Sequence, residues 1–216
     1  MNILIIGANG FTGRRILNDL VAREIYNITA CSLRNDIQSG DGYQFIRADI
    51  RNASEVRALF KEVCPDVVIN TSALSVPDFC ETHHNEARAT NITAVEHLAR
   101  ACEQYGSRFI HLSTDFVFDG RTDRLYTEED EPNPVNYYGI TKLEGEERVA
   151  ECCGNYAIVR VVVVYGKALP GQHGNIVQLV ANKLRSGETI RVVSDQWRTP
   201  TFVGDISHAV EQLMHH

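Results

Sequence analysis

A tyrosine and a lysine four positions apart, Tyr138 and Lys142, are the residues of this chain with the clearest potential chemistry. If the segment between them is helical, the two side chains lie one turn apart on one face. A free phenol has a pKa of about 10 and exchanges protons poorly near neutrality. An ammonium beside it favours the phenolate, lowers that pKa and makes the group useful as an acid or base. The alternative is an exposed tyrosine on an amphipathic helix, with a solvated lysine.

Two hydroxyl side chains precede this pair at the end of an apolar segment. The segment 109–112 indicates a buried strand, which delivers Ser113 and Thr114 at its carboxyl end. A hydroxyl at that point could hydrogen-bond the same substrate oxygen as the phenol. Together, these groups could give a proton to a carbonyl oxygen while a hydride reaches its carbon.

Three glycines near the amino terminus follow a short apolar strand at 1–6 and precede a helical pattern at 16–21. Gly7 would allow a tight turn, Gly10 a close approach to a pyrophosphate, and Gly13 packing of the helix on the strand. The start of a helix supplies N–H groups and a positive dipole end for phosphates. The GxxGxxG spacing in this context predicts a dinucleotide site, and a glycine-rich turn without a ligand is the alternative.

The end of the second predicted strand bears on the choice of dinucleotide. Many dinucleotide folds place a carboxylate there to bind the adenosine ribose. Here Ser32 and Arg34 occupy that end, and no carboxylate occurs before Asp36. A hydroxyl and a guanidinium suit a 2′-phosphate, with Arg14 or Arg15 as a second cation, so NADPH is favoured over NADH.

Strands alternate with helices along the whole chain. Strands are predicted at 1–6, 28–33, 44–48, 66–70, 109–112, 157–164 and 189–193, and helices at 16–21, 53–63, 87–102, 138–142, 176–184 and 203–213. The β-branched segment 157–164 is typical of a strand buried on both faces. This alternation predicts an α/β fold with a Rossmann-type doubly wound parallel sheet and helices on both faces. We expect a dinucleotide-binding domain at 1–165 and a partial substrate-binding portion at 166–216, packed on the same core.

Composition restricts the class of protein. The 216 residues, 44% of them hydrophobic, suffice for one good core, and the net charge of −7 argues against nucleic-acid or anionic membrane surfaces. No leader peptide and no apolar segment long enough to span a bilayer are recognised. Six cysteines without regular spacing indicate reduced thiols in a cytoplasmic protein. Cys80, His83 and His84 are half of a metal site at most, so a surface helix is expected there and no metal is predicted.

Several motifs in order give the chain a family resemblance. It resembles the extended short-chain dehydrogenases/reductases, and within them the dTDP-4-dehydrorhamnose reductase branch. The resemblance covers nearly the whole sequence, and the motifs that carry it are GANGFTG at 7–13, NTSA at 70–73, LSTDFVFDG at 112–120, YYGITKLEGE at 137–146, RVVVVYG at 160–166 and DQWRTPT at 195–201.

The resemblance implies roles for individual residues. Thr114, with Ser113 beside it, would polarise a keto oxygen, Tyr138 would donate the proton, and Lys142 would hold the nicotinamide ribose and lower the tyrosine pKa. Further cofactor contacts are implied along the glycine turn, beside the adenine and at the exit of the fourth strand, at Gly7, Asn9, Gly10, Phe11, Thr12, Gly13, Asp49, Ile50, Thr71, Ser72 and Ala73. The implied reaction is hydride transfer to the C4 ketone of a nucleotide-linked deoxysugar.

Neighbouring activities in the superfamily differ at the strand end. Dehydratases carry an Asp-Glu pair after the threonine, whereas here Asp115 is followed by Phe116. Epimerases usually carry Ser-Ser or Ser-Ala at the position of Ser113, which favours a reductase over an epimerase. Asp115, Arg160 and Arg198 are candidates to contact a nucleotide-sugar substrate, because guanidinium groups match phosphate oxygens. Each arginine could equally be a structural ion-pair partner.

Family members continue for several dozen residues past the point that matches Met214, so a reduced or truncated substrate lobe is expected. A second hypothesis follows from this, namely a cofactor-binding regulatory subunit like the β subunit of methionine adenosyltransferase. A homodimer is possible. Some relatives use a metal at a subunit contact, but no residues here match that site.

Overall fold

A parallel sheet of six strands forms the centre of the computed structural model, which describes residues 1–168 and 174–215. In chain order the strands are β1 (Asn2–Ile6), β2 (Asn27–Ser32), β3 (Gln44–Arg47), β4 (Val67–Asn70), β5 (Arg108–Thr114) and β6 (Tyr156–Val161). Their spatial order is β3-β2-β1-β4-β5-β6. The direction of winding reverses between β1 and β4, and ligands of such sheets bind beyond the carboxyl ends of the strands at that point. The predicted doubly wound sheet is confirmed.

Helices cover both faces of this sheet. They are α1 (Phe11–Val21), α2 (Ala53–Val63), α3 (Pro77–Cys80), α4 (His84–Arg88), α5 (Ala94–Tyr105), α6 (Tyr137–Cys152), α7 (Ile176–Arg185) and α8 (Val203–Leu213). One apolar cluster joins α1 and α8 to one face, and a second joins α2, α5 and α6 to the other. Alternate residues of a strand point to opposite faces, so Ile3 and Ile5 serve the first cluster and Leu4 and Ile6 the second.

The helix predicted at 87–102 is not continuous. Between α4 and α5 the chain forms a π-helical segment, Ala89–Thr93, in which Asn91 is buried. Such segments are rare and often occur at functional sites. The hydrophobic period alone could not reveal this one, because the apolar positions on either side remain in phase with a helix.

One predicted strand is present but less buried than expected, and another predicted strand does not form. The segment 157–164 was expected to be buried on both faces, yet β6 is half-buried along most of its length and pairs only with β5 among the described residues. The segment 189–193 forms no strand, and Val192 and Val193 are exposed. A strand needs a neighbour for its backbone N–H and C=O groups, which an apolar pattern does not supply.

The helix predicted at 176–184 is present as α7, although none of its residues is buried. α8 packs on α1 across the sheet face. The division into 1–165 and 166–216 stays a prediction, and positions 169–173 and 216 lie outside the described residues. Across the described part of the chain, no helix combines the length and apolar character needed to cross a bilayer.

The turn after β1 brings three segments into close contact. Gly7 has a φ of +81°, in the region that favours glycine, and its N–H donates to the Cys31 carbonyl of β2 at 2.9 Å. A Cβ on Gly13 would lie 2.4 Å from the Gly7 carbonyl oxygen and 2.5 Å from Thr71 Oγ1. α1 can therefore approach β1 and the β4 exit this closely only with glycine at position 13.

We expect Gly13→Ala to lower the free energy of unfolding by about 2 kcal/mol, because the added methyl group overlaps backbone in a packed region. Gly10→Ala is the matched control. Its nearest contact would be 3.1 Å, to the Gly7 carbonyl oxygen, and the expected loss is below about 1 kcal/mol. Urea denaturation of both variants measures the difference, and equal losses would contradict the close packing at Gly13.

Candidate active site

The start of α6 fixes the position of Tyr138. Asn136 caps the helix by accepting a hydrogen bond from the Gly139 N–H at 2.7 Å. Gly139 packs against the short helical turn Asp115–Val117 that follows β5, and a Cβ there would lie 2.2 Å from the Phe116 carbonyl oxygen. The helix therefore begins in direct contact with the end of β5.

Tyr138 is buried, and so is Thr114 at the end of β5. The Thr114 hydroxyl donates to the Asp115 carboxylate at 3.2 Å and accepts from the Phe116 N–H at 3.2 Å, and the Phe116 ring meets the Tyr138 ring edge-on at 5.5 Å between centroids. Burial raises the pKa of Tyr138 to about 12, the Asp115 carboxylate acts in the same direction, and the Thr114 hydroxyl opposes both. A phenol with this pKa keeps its proton at neutral pH.

Lys142 follows one turn later, but its amine does not act on the phenol. The Nζ atom donates to the Leu112 carbonyl oxygen at 2.8 Å and lies 3.2 Å from His111 Nε2. The side chain is buried, which lowers its pKa to about 8. The prediction that Lys142 lowers the Tyr138 pKa is therefore wrong for this structure, because the amine is bound to β5 and burial of the phenol dominates.

The π-helical segment Ala89–Thr93 packs against α6. Asn91 donates from Nδ2 to Thr141 Oγ1 at 3.0 Å and to the Leu74 carbonyl oxygen at 3.2 Å, and its Oδ1 accepts from the Leu74 N–H. A Cβ on Gly145 would lie 2.4 Å from the Asn91 carbonyl oxygen. Asn91 thus joins α6 to the exit of β4. Sequence reasoning missed this role, and the one signal was an asparagine in an otherwise apolar helix pattern.

The predicted dinucleotide site lies at the switch point between β1 and β4. α1 begins without a side-chain cap, so no side chain competes with a phosphate for the N–H groups of Phe11, Thr12 and Gly13. On β5, the buried Ser113 hydroxyl has no hydrogen-bond partner among the described residues. An uncapped helix start and an orphaned buried hydroxyl fit a ligand with phosphates and polar groups.

Asn9 has a structural role that the sequence did not indicate. Its side-chain amide donates to the carbonyl oxygens of Arg34 and Asn35, and its backbone N–H donates to Ser32 Oγ at 3.0 Å. These bonds join the glycine turn to the loop after β2. Asn9 as a cofactor contact stays a prediction.

The cations predicted for a 2′-phosphate differ in availability. Arg34 is exposed at the end of β2, where a phosphate could reach it. Arg14 is buried and binds the Asp36 carboxylate and the Tyr43 hydroxyl, so its charge is already paired. Arg15 pairs with Asp19 and lies over the ring of Phe202, just before α8, at 5.7 Å. Of the predicted cations, the geometry therefore favours Arg34.

The remaining predicted cofactor residues line the same edge of the sheet. Thr71 donates to the Ile6 carbonyl oxygen at 2.9 Å, and Ser72 donates to Asn70 Oδ1 through both its N–H and its hydroxyl. Ala73 is half-buried next to them. Asp49 forms an ion pair with Arg51, which holds the pKa of its carboxyl low. Ile50, which follows Asp49, is buried.

Two of the three predicted substrate residues come together. Arg198 forms an ion pair with Asp115 and lies over the Phe116 ring at 4.6 Å, which brings the 195–201 segment to the mouth of the site. Arg160 instead binds both carboxylate oxygens of the buried Glu146 on α6, at 2.6 Å for the shortest contact. For Arg160 the structure favours the ion-pair alternative over substrate binding.

The histidines near Cys80 are engaged in ring contacts. His83 stacks on Phe79 at 3.7 Å and His84 on Tyr137 at 3.8 Å, both on the surface. Cys80 is buried and hydrogen-bonds the Leu74 carbonyl oxygen. Within residues 1–168 and 174–215, no group of three or more candidate ligands could hold a metal ion.

Comparisons with known proteins identify the family that the chain matches. The family model described as the RmlD substrate-binding domain matches residues 1–216. A probable low-salt glycan biosynthesis reductase of Haloferax volcanii is 35% identical, over 99% of this chain and 71% of its own. The methionine adenosyltransferase 2 subunit beta of Danio rerio is 30% identical, over 98% of this chain and 61% of its own.

A solved structure is similar to this chain over nearly its whole length. The dTDP-4-dehydrorhamnose reductase of Bacillus anthracis, crystallised in complex with NADP, aligns with a TM-score of 0.87 and 30% identity, over 99% of this chain and 71% of that one. The chain therefore spans between 61% and 71% of the length of these three relatives. The family resemblance recognised in the sequence is confirmed.

We expect Arg160→Leu to lower the free energy of unfolding by about 3 kcal/mol, because it leaves the buried Glu146 carboxylate without its partner. The control is Arg100→Leu, which removes an exposed pair with Glu96 on α5 and should cost less than about 1 kcal/mol. Adding Glu146→Leu to the first variant should recover much of its loss. Denaturant unfolding at neutral pH measures all three, and a loss at Arg160 no larger than the control would refute the structural role.

Proposed function

The chain belongs to the RmlD substrate-binding domain family, and we propose that it is an NADPH-dependent reductase of the C4 ketone of a nucleotide-linked deoxysugar. The observation that carries this proposal is the buried phenol of Tyr138, whose ring packs on Phe116 just beyond the buried Thr114 at the carboxyl end of β5. A protonated phenol beside a second hydroxyl, at the switch-point edge of a Rossmann-type sheet, suits the delivery of one proton to a ketone oxygen.

The proposed reaction forms two bonds at the ketone. When bound, NADPH supplies the hydride that reduces the carbon. Tyr138 transfers its hydroxyl proton to the oxygen; its raised pKa keeps that proton in place at neutral pH and makes its release harder than from a free tyrosine. Thr114 hydrogen-bonds the same oxygen and so favours the negative charge that develops there. The phenolate then regains a proton from solvent.

Ser32 and Arg34 support NADPH as the cofactor. Ser32 ends β2 and Arg34 is exposed immediately beyond it, the region where dinucleotide folds hold the adenosine ribose. Asp36, the first carboxylate after the strand, is bound by Arg14 and Tyr43. A ribose hydroxyl would have to compete with both for it. The NADP complex of the Bacillus anthracis relative supports the same choice, and NADH stays possible.

A regulatory subunit is the second candidate function. The Danio rerio subunit beta is as similar to this chain as the Bacillus anthracis reductase is, at 30% identity. A regulatory protein of this kind would bind NADPH and turn over no keto-sugar. The presence of Thr114, Tyr138 and Lys142, the three residues to which the family resemblance gives roles in the reaction, favours the enzyme.

The six cysteines are all free thiols, which supports a cytoplasmic location. A nucleotide-sugar is the proposed partner, for which Asp115 and Arg198 lie at the mouth of the site. A homodimer stays a prediction.

Arg34→Gln should weaken NADPH binding by about tenfold or more and leave NADH binding nearly unchanged, because only the 2′-phosphate would meet the guanidinium. Arg148→Gln is the control, since Arg148 pairs with Glu151 in the second half of α6, away from the carboxyl ends of the strands. Calorimetric titration with both dinucleotides measures the ratio. Equal loss for NADPH and NADH would contradict the role of Arg34.

Tyr138→Phe should lower the turnover of a dTDP-4-keto-6-deoxysugar by at least about 100-fold, because the proton donor is removed while the ring remains. Tyr137→Phe, one residue earlier on α6 and stacked on the surface His84, should keep the parent rate within a few fold. Loss of reduced-nicotinamide absorbance follows the reaction. A Tyr138→Phe protein as fast as the parent would refute the proposed donor, and NADPH binding without turnover of any keto-sugar in the parent would favour the regulatory role.

A further inference from the structure

A chain of hydrogen bonds links Ser72, Asn70, His111 and Lys142. Ser72 donates its backbone N–H to Asn70 Oδ1 at 3.1 Å, and Asn70 Nδ2 lies 3.0 Å from His111 Nδ1. His111 Nε2 lies 3.2 Å from Lys142 Nζ, which also reaches the Leu112 carbonyl oxygen. Asn70, His111 and Lys142 are all essentially inaccessible to solvent.

The donors and acceptors in this chain can be assigned in one way. A backbone N–H only donates, so the oxygen of the Asn70 amide faces Ser72 and its NH2 group faces His111. That NH2 group also only donates, so His111 Nδ1 accepts and carries no hydrogen. A neutral imidazole has one N–H, which must therefore be on Nε2.

This assignment restricts the protonation state of Lys142. The Nε2–H of His111 needs an acceptor, and a lysine nitrogen accepts only when it is a neutral amine. The amine still has hydrogens to donate to the Leu112 carbonyl oxygen. A charged Lys142 or a charged His111 would place two donors face to face in a buried site, which is costly.

We propose that His111 is a positioning residue that favours the neutral amine of Lys142, and that a bound anionic dinucleotide shifts Lys142 towards its charged form by drawing a proton onto it. The part of this proposal that concerns the bound dinucleotide rests on the proposed function. His111 touches neither phenol nor substrate oxygen and acts through Lys142.

The other charged groups around Lys142 agree with this proposal. Burial lowers the pKa of His111 well below its usual value and that of Lys142 to about 8. Glu146, one turn further along α6, favours the ammonium form, but Arg160 from β6 holds its carboxylate in an ion pair. Tyr138, on the same helix, is a neutral phenol at these pH values. Of the titratable groups named here, His111 is therefore the one that contacts the Lys142 amine directly.

The first test determines which ring nitrogen of His111 carries hydrogen in the parent protein. Long-range proton–nitrogen correlation of histidine-labelled chain should show His111 as the Nε2–H tautomer, unprotonated at Nδ1, with no titration between about pH 5 and 9. His111→Leu identifies its signal by loss. A signal from the Nδ1–H tautomer, or a histidine that titrates normally, would overturn the proposal without any variant having to fold.

The second test follows the Lys142 side chain in lysine-labelled protein without cofactor, with its signal assigned by its loss in Lys142→Met. His111→Leu removes the N–H that faces the amine, and His111→Gln can present an amide oxygen instead. The titration midpoint should rise in both, by about one pH unit or more in the glutamine variant. A midpoint in the leucine variant equal to that of the parent would show that burial alone sets the charge and that His111 does not.

The third test separates this proposal from the proposed function. NADPH titrated at about pH 8.5 in two buffers of different ionisation enthalpy should show proton uptake by the parent and less by His111→Leu, in which Lys142 is already more protonated. Equal uptake or proton release would refute the coupling. If NADPH does not bind at all, the proposed function and the coupling fail together, while the tautomer and the midpoints still decide the role of His111.

Discussion

The close contact of α6 with the end of β5 is the constraint on which the rest of the site depends. Glycine at positions 139 and 145 removes the two side chains that would separate the helix from the Phe116 and Asn91 carbonyl groups. Only at this distance does the Lys142 amine reach the Leu112 carbonyl oxygen and the Tyr138 ring reach the Phe116 ring. The helix therefore places polar groups in the core, where each needs a partner to offset its lost hydration.

That burial explains why the site behaves differently from the sequence expectation. A tyrosine and a lysine one turn apart on an exposed helix would both be hydrated, and the ammonium would lower the pKa of the phenol. Inside the protein, both groups resist being charged, so the Tyr138 pKa rises while the Lys142 pKa falls. The extent of burial is a tertiary property that spacing along the chain does not contain.

The parts of the fold that depend on local pattern were predictable. The helices at 53–63 and 203–213 have the predicted bounds, because apolar residues at helical spacing are bounded there by polar or turn-forming residues. The first five strands were placed within about two residues for the same reason. Failures occur where the outcome depends on distant partners. The segment 189–193 has no strand to pair with, and the π-helical segment is defined by contacts of Asn91 with Leu74 and Thr141.

Ion-pair partners that are distant in sequence could not be predicted either, and one such pair lies at the mouth of the site. Nothing near Arg198 in sequence identifies Asp115, 83 positions away, as its partner, yet the pair joins the 195–201 segment to the residue after Thr114. Arg198 bonds Asp115 through Nη1 alone, and a substrate phosphate that drew the guanidinium towards itself would weaken this pair. Asp115 already raises the Tyr138 pKa, and without Arg198 its charge would be less neutralised, so the phenol would hold its proton more firmly. A substrate that engaged Arg198 would therefore also have to satisfy Asp115, and a sugar hydroxyl donating to that carboxylate is the group with the right chemistry.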